Sequence, residues 1–208
     1  MRGTSAVRTA AVEPWPGRIL CLPGVYRPQA DSSLLAAAMR REGIGPGMDV
    51  LDLCTGSGVL ALQAARLGAQ VTAVDISRRA VMSARLNASL AGLPVSVRRG
   101  DLFAAVPERR FDVLVSNPPY VAAPDPSLPR WGARRAWDAG CDGRALLDRI
   151  CDSAPAALRL GSHESARCDH VRAAVAIRAL PPGRSPGRHV TAQAWGHGWC
   201  RQRRKRDT

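Results

Sequence analysis

A short apolar strand, a glycine turn and an apolar helix follow one another across residues 48–68, and this order restricts the possible folds more than any other feature. The strand reads MDVLDLC, residues 55–58 (TGSG) form the turn, and the helix begins at Val59 and ends at a glycine. Glycines such as Gly56 and Gly58 let the backbone approach a ligand closely. The first N–H groups of a helix also attract negative or polar groups. The segment therefore predicts a nucleotide-binding β-α unit.

Carboxylates stand at the ends of three successive apolar segments. Asp52 lies near the end of the first strand, QVTAVD ends at Asp75, and VSVRRGDL ends at Asp101 and Leu102. Parallel strands bring their carboxyl ends to one edge of a sheet, so we expect these acids to lie near one ligand. Any one of them, taken alone, is equally consistent with a helix cap or a loop residue.

A fourth apolar run, FDVLVS, begins at Phe111 and leads into Asn117, Pro118, Pro119 and Tyr120. The run is rich in β-branched residues and predicts a buried strand. Prolines have no N–H, so the loop presents mainly acceptors, including the side-chain carbonyl of Asn117, and Tyr120 adds a flat ring. Acceptors beside a ring suit a planar –NH2 group, either a carboxamide or the exocyclic amine of a base. A Pro-Pro turn that closes a core strand is the alternative.

These residues resemble the Asn/Asp-Pro-Pro-Tyr/Phe signature of amino-methyltransferases that use S-adenosylmethionine (SAM). Residues 23–160 resemble the class I SAM-dependent methyltransferase family, and specifically its HemK/PrmC-like branch, which methylates the glutamine amide of translation release factors. VYRPQADSSLL, from Val25, resembles the segment that covers the SAM pocket in that branch. WDAGCDGRALLD, from Trp137, resembles its Gly-Gly-x-Asp-Gly segment but has residues 138–140 (DAG) where two glycines are usual.

The resemblance implies SAM as the cofactor and gives each of these residues a role. Asp52 would lie near the amino-acid moiety, Asp75 would accept the ribose hydroxyls, and Asp101 would meet the adenine amine. Asn117 and the Pro118 carbonyl would hold the acceptor amine for an in-line methyl transfer without a metal. The expected catalytic residues are Asn117, Pro118 and Tyr120, the cofactor-binding residues are Asp52, Gly56, Gly58, Asp75, Asp101, Leu102 and Asn117, and the substrate-binding residues are Asn117, Pro118, Pro119 and Tyr120.

Three alternatives stay open. The pattern Gly-x-Gly-x-x-Ala, from Gly56, also fits a NAD-binding Rossmann unit, although the charge of Asp52 would repel a pyrophosphate. An enzyme that methylates adenine N6 or cytosine N4 in nucleic acid would use the same loop on a flipped base. The last alternative is a SAM-binding protein with impaired activity.

The order of predicted elements indicates an α/β fold with a doubly wound, mostly parallel, Rossmann-like methyltransferase sheet that is incomplete at its C-terminus. A helix over residues 33–41 would be capped by Asp31 or Ser32. A second helix over residues 76–91 would begin at Ser77 and bury an apolar face of alanines, Val81, Leu86 and Leu90. A further helix spans Arg144–Leu160 and is interrupted near Pro155.

Composition divides the chain into three parts: a flexible arm over residues 1–18, a methyltransferase domain over residues 19–161 and a basic, poorly structured tail over residues 162–208. The tail is rich in Pro, Gly, Arg and His, with one possible strand at Val171–Ile177. A frameshift in a GC-rich gene or a genuine basic arm would explain it. In both cases the sheet would lack its last strands and expose an apolar edge.

Charge and apolar content limit the partners. The net charge of +13 comes from 30 basic residues, among which Lys205 is the only lysine, so the excess reflects arginine usage as well as the basic tail. Nucleic acid is therefore a possible partner beside a release factor. The sequence has no apolar run long enough to span a membrane, no secretory signal and no metal-ligand spacing among its six cysteines, so we expect a cytoplasmic protein.

Overall fold

The computed structural model describes residues 18–124, 129, 132–159 and 175–178, and all elements named below lie in these ranges. The first half contains α1 (Ala30–Arg41), β1 (Asp49–Leu53), α2 (Val59–Arg66), β2 (Gln70–Asp75) and α3 (Arg78–Ala91). The second half contains β3 (Val95–Arg99), β4 (Val113–Ser116), α4 (Ala145–Ala157) and β5 (Val175–Arg178), with short 3-10 helices at Leu102–Ala105 and Ala133–Ala136.

The strands form one sheet in the order β3-β2-β1-β4-β5, in which the first four are parallel and β5 runs antiparallel to β4. The predicted order of strands and helices is confirmed. The strand order reverses at β1, because β2 and β3 lie on one side of β1 and β4 lies on the other. In parallel α/β sheets a ligand binds at such a point, beyond the carboxyl ends of the strands.

Alternate residues of each strand pack against helices on opposite faces of the sheet. Val50 and Val115 pack with α1, α2 and α3, whereas Leu51 and Leu114 pack with α4. Both faces are covered, which explains why β1 and β4 read as continuous apolar runs and do not alternate with polar residues.

Helix α3 begins as predicted, because the Ser77 hydroxyl accepts a hydrogen bond from the Ala80 N–H at 3.4 Å. Its predicted apolar face was partly wrong. The buried side carries small residues and Asn87, whereas Leu86 is 44% exposed and Leu90 is 66% exposed. Asn87 defines the buried side because its amide bonds the backbone of Leu20 and Ser57.

The glycine turn packs directly on α3, and this contact explains Gly58. Gly58 has φ +84°, and a Cβ at this position would lie 2.9 Å from the Cβ of Ala84. The missing side chain thus allows close packing of the turn on the helix. The sequence predicted that Gly58 would let the backbone approach a ligand.

We expect Gly58→Ala to lower the free energy of unfolding by about 3 kcal/mol, because it combines a left-handed backbone with overpacking. Gly92→Ala is the matched control: Gly92 has φ +63° but no atom within 4 Å of the added Cβ, so only the backbone cost of about 1 kcal/mol applies. Urea denaturation measures both values. Equal losses for the two variants would contradict the packing role.

The β4 edge is not free, which corrects the expectation of an exposed apolar edge there. Residues 175–178 pair with Val113–Ser116 over the whole length of β4. They overlap the strand predicted at Val171–Ile177, of which 171–174 lie outside the described residues. The N-terminal arm before residue 18 and the rest of the basic tail also lie outside them. Within the described ranges, every helix is too short or too polar to cross a lipid bilayer.

The first helix is longer than predicted, and its N-terminus is not capped by an acid. Helix α1 begins at Ala30, after Gln29, and no side chain caps it. The prediction that Asp31 or Ser32 caps this helix was wrong, because both residues lie inside the first turn. The carboxylate of Asp31 faces the site described next.

Candidate active site

A cavity of about 650 Å³ lies at the carboxyl ends of the parallel strands, beside the point where their order reverses. Its wall comes from the segments that follow β1, β2, β3 and β4, from the chain before and at the start of α1, and from the segment before α4. Most of the predicted site residues line it: Gly56, Asp75, Asp101, Leu102, Asn117, Pro118, Pro119 and Tyr120. Asp52 and Gly58 are not in the wall.

Asp75 joins the glycine turn to the start of α3. One carboxylate oxygen accepts from the Gly56 N–H at 3.0 Å, and the other accepts from the Ser77 N–H at 2.8 Å. A carboxylate oxygen can accept more than one hydrogen bond, and Asp75 lies in the wall of the cavity. A vicinal diol is a ligand group that suits this position.

Asp52 lies behind the glycine turn and is buried. Its Oδ2 accepts from the Thr55 hydroxyl at 2.6 Å and from the Ala61 N–H at 3.1 Å, so the carboxylate holds both the turn and the first turn of α2. Its Oδ1 is buried and has no hydrogen-bond partner among the described residues. Burial raises the pKa of Asp52 to about 7, and the nearby charge of Asp75 contributes in the same direction.

This pKa predicts how stability depends on pH. Between the ordinary carboxyl pKa of about 4 and the folded value, the folded state holds a proton that the unfolded state has lost. The contribution of Asp52 to the free energy of unfolding therefore falls as pH rises through this window, by up to about 1.4 kcal/mol per pH unit, and is constant above it.

Asp52→Asn does not titrate, so the variant should gain stability relative to the unmodified protein from pH 5 to pH 7 and gain no more above pH 7.5. Urea denaturation at several pH values measures this difference, in which other titrating groups cancel. A constant difference for Asp52→Asn across the range would contradict the raised pKa.

The end of β3 contributes Asp101 and Leu102 to the cavity. Asp101 forms an ion pair with Arg149 of α4 at 2.8 Å, and both side chains are about half exposed. Leu102 is buried with φ +45°, an unusual backbone for a residue with a branched side chain. The ion pair links α4 to the predicted adenine end of the cavity.

Asn117 presents one free acceptor. Its Nδ2 donates to Asp31 Oδ2 at 3.0 Å, while its Oδ1 is buried and has no hydrogen-bond partner among the described residues. A buried carbonyl without a donor is costly, so a donor supplied by a ligand would satisfy it. Pro118, Pro119 and Tyr120 follow it in the cavity wall, so the predicted loop is brought together as a unit.

Asp31 and Tyr26 were not predicted as site residues. Asp31 Oδ2 accepts from Tyr26 Oη at 2.9 Å and from Tyr120 Oη at 3.3 Å. Asp31 was instead predicted to cap a helix, and its contacts with the two tyrosines were not expected. The sequence did contain one indication of these contacts: the segment from Val25, which includes both residues, resembles one that covers a SAM pocket.

The chain after Tyr120 is fixed by the segment before α4. The Val121 N–H donates to the Trp137 carbonyl at 2.7 Å, and the Ala139 N–H donates to the Val121 carbonyl at 2.9 Å. The Ala123 N–H donates to the Gly140 carbonyl, also at 2.9 Å. A Cβ on Gly143 would overlap the Tyr120 carbonyl oxygen. The two segments therefore pack backbone against backbone.

The unusual DAG sequence is accommodated in this segment. Asp138 is buried and accepts from Arg134 Nε at 2.6 Å, and the side chain of Ala139 is fully buried. Gly140 keeps a left-handed backbone, with φ +80°. The departure from two glycines therefore adds an ion pair and a methyl group without interrupting the bonds to Val121.

The residues of the cavity fit SAM. Asp75 and Asp101 supply acceptors for hydroxyl and amine groups, and the buried Oδ1 of Asn117 has no hydrogen-bond donor within the described part of the chain. Gly56 leaves open space, since a Cβ there would meet nothing closer than 4.0 Å. SAM, when bound, supplies an electrophilic methyl group.

Curated proteins that are similar to this chain include glutamine methyltransferases. A release factor glutamine methyltransferase of Xylella fastidiosa is 39% identical over 155 residues, which cover 71% of this chain and 56% of that protein. A ribosomal protein uL3 glutamine methyltransferase of Bradyrhizobium diazoefficiens is 46% identical over 114 residues, 51% of this chain and 36% of that protein. A putative protein N5-glutamine methyltransferase of Methanocaldococcus jannaschii is 35% identical, and the match covers 67% of this chain and 69% of that protein.

The chain thus spans between about a third and a little over half of the first two of these relatives. Among solved structures, a 16S rRNA N2 methyltransferase of T. thermophilus, determined with AdoMet (SAM) and guanosine, is similar with a TM-score of 0.52 and 28% identity. That match covers 68% of this chain and 36% of the other.

A family model, the methyltransferase small domain, matches residues 17–128, which contain the glycine turn, the three acids and the Asn-Pro-Pro-Tyr loop. The resemblance found in the sequence is confirmed by these matches, and so is the assignment of SAM as the cofactor. The chain belongs to the methyltransferase small domain family, alongside the HemK/PrmC-like glutamine methyltransferases.

Proposed function

We propose that this protein is a SAM-dependent N-methyltransferase that acts on a planar amine, and that the acceptor is a glutamine amide of a protein such as a translation release factor. One observation carries the proposal: the buried Asn117 Oδ1 has no hydrogen-bond donor among the described residues, and Asn117 lies in the wall of a cavity that also contains Asp75 and Asp101. A substrate –NH2 supplies the missing donor.

In this proposal the residues of the chain contribute to the reaction by positioning the acceptor –NH2 group. Asn117 Oδ1 and the Pro118 carbonyl each accept one N–H of the acceptor, which fixes the plane of the –NH2 group and directs its nitrogen lone pair along the transfer axis. A carbon–nitrogen bond forms as the carbon–sulfur bond breaks, and the nitrogen then releases its proton. The cationic product of the transfer is a strong acid, so a dedicated general base is not required.

Asp75 and Asp101 are proposed to hold the cofactor. Asp75 accepts from the ribose hydroxyls in addition to the Gly56 and Ser77 N–H groups, and Asp101 accepts from the adenine amine while it is paired with Arg149. Asp52 acts from behind the glycine turn, through Thr55, and not through direct contact with the cavity.

A glutamine amide is favoured as the acceptor because the relatives that match most of the domain are named for it. A nucleobase is the second candidate, favoured by the similarity to a methyltransferase that acts on 16S rRNA and by the net charge of +13. A translation factor as substrate would place the protein in the cytoplasm.

Transfer of a radiolabelled methyl group from SAM distinguishes these candidates. The protein is incubated separately with purified release factor, ribosomal protein uL3, rRNA, tRNA and DNA. The proposal predicts label in a protein, at glutamine, and label lost when that glutamine is replaced by asparagine. Label in nucleic acid alone would replace the proposed acceptor, and SAM binding without label in any fraction would exclude methyltransferase activity on these substrates.

A further inference from the structure

Asp31 gathers three side chains of the candidate site around one oxygen atom. Its Oδ2 accepts from Tyr26 Oη at 2.9 Å, Asn117 Nδ2 at 3.0 Å and Tyr120 Oη at 3.3 Å. Its Oδ1 accepts from the Ser32 N–H at 2.6 Å. The carboxylate is thus satisfied from within the site, and it connects α1 to a loop almost 90 residues later in the chain.

This contact determines which way the Asn117 amide faces. An ionised carboxylate only accepts hydrogen bonds, so the amide nitrogen must point at Asp31 and the carbonyl must point away. The opposite rotamer would place two acceptors face to face and leave Nδ2 without this partner. In agreement with this orientation, Asn117 Oδ1 is buried and accepts no hydrogen bond from any described residue.

The ionisation of the cluster is consistent with this geometry. Burial opposes the charge on Asp31, but hydrogen bonds from Asn117, Tyr26 and Ser32 outweigh it and leave the pKa of Asp31 below its usual value. Burial and the neighbouring carboxylate raise the pKa of both Tyr26 and Tyr120. At neutral pH the cluster therefore holds one carboxylate and two neutral phenols.

We propose that Asp31 is a positioning residue, which fixes the Asn117 amide so that only its carbonyl meets the acceptor, and which holds the Tyr120 phenol beside it. The inference rests on the proposed function and extends it to selectivity. A site that offers an acceptor and no donor at Asn117 selects groups with N–H donors. A hydroxylate or carboxylate acceptor would meet repulsion there.

Kinetics test whether Asp31 acts through Asn117. Asp31→Ala should lower kcat at least about 30-fold while the Kd for SAM changes less than about threefold, because a misplaced acceptor slows transfer without affecting the cofactor site. Asp31→Asn keeps an acceptor oxygen and should lose less. Asp152→Ala, an exposed acid on α4, is the matched control with no change expected.

A double-mutant cycle separates positioning from general loss of structure. In a protein that already carries Asn117→Ala, the further change Asp31→Ala should cost at most about threefold in kcat, because the group that it positions is gone. If the kcat of the double variant is lowered by the product of the two single losses, the inference is wrong.

A second readout needs no substrate. Tyr26 and Tyr120 are the only tyrosines of the chain, and both donate to Asp31, so tyrosinate absorbance near 295 nm reports on this cluster alone. The tyrosines of the unmodified protein should resist ionisation well above the usual tyrosine pH range, and those of Asp31→Ala should ionise at clearly lower pH. Asp152→Ala should titrate as the unmodified protein does. Circular dichroism at each pH confirms that the proteins are folded.

The two readouts also separate this inference from the proposed function. If Asp31→Ala shifts the tyrosinate titration but the unmodified protein methylates no acceptor, the proposed function is refuted and the hydrogen-bonded cluster around Asp31 is supported. An unchanged titration of folded Asp31→Ala, or an active Asp31→Ala with normal kcat on the true substrate, would refute the role of Asp31 and leave the proposed function standing.

Discussion

Replacing Asn117 with alanine is expected to lower kcat for methyl transfer by about 100- to 1000-fold and to change the Kd for SAM less than about threefold. The substitution removes the buried carbonyl that we propose accepts from the substrate amine, together with the amide nitrogen that donates to Asp31. The acceptor should lose its fixed plane, whereas the carboxylates proposed to hold the cofactor, Asp75 and Asp101, stay in place.

Single-turnover transfer from labelled SAM measures the chemical step, and calorimetry measures SAM binding on the same preparation. Retained SAM affinity is the internal control, because it shows that the glycine turn and Asp75 are correctly folded. Tyr120→Ala provides a comparison, with its main effect expected on the KM for the acceptor. Near-normal turnover of Asn117→Ala on the true substrate would remove Asn117 from the active site.

Replacing Asp75 with alanine is expected to weaken SAM binding by roughly 10- to 100-fold, or about 1.5–3 kcal/mol. Two losses combine. The ribose hydroxyls lose a charged acceptor, and the N–H groups of Gly56 and Ser77 lose the carboxylate that joins the glycine turn to α3.

Calorimetry with SAM and with NAD checks this prediction and the cofactor together. We expect NAD to bind weakly or not at all, because a pyrophosphate would approach the turn under which Asp52 is buried. Asp152→Ala, with the same loss of charge at an exposed residue of α4 outside the cavity wall, should bind SAM normally. Equal SAM affinity for Asp75→Ala and the unmodified protein would show that Asp75 makes no bond to the ribose.

Most of the fold could be predicted because local and global signals agree. Strand β2 has the predicted bounds, Gln70–Asp75, and Ser77 caps α3 as expected. Bounds were less accurate where the chain leaves the sheet gradually. Phe111 forms only an isolated parallel bridge to Leu158, so β4 begins at Val113 and not at Phe111.

The contents of the site were predictable, but its internal contacts were not. Sequence order placed Gly56, Asp75, Asp101 and the Asn117 loop at one sheet edge, because parallel strands end there. An acid just before a helix has a sufficient local explanation, so Asp31 was assigned to a cap and its long-range partners were missed. The contact between Gly58 and Ala84 of α3 was also missed, because it depends on how the glycine turn packs against a helix more than 20 residues later.

The backbone contact between Gly143 and Tyr120 has a consequence for how freely this region can vary in sequence. Position 143 has φ +72° and no volume for a methyl group, so any other amino acid would displace the Tyr120 carbonyl. Asp138 is paired with Arg134, and the side chain of Ala139 is accommodated although it is fully buried. Sequence variation in the segment before α4 is therefore more restricted at Gly143 than at positions 138 and 139, and a change at Asp138 can alter the rim of the cavity.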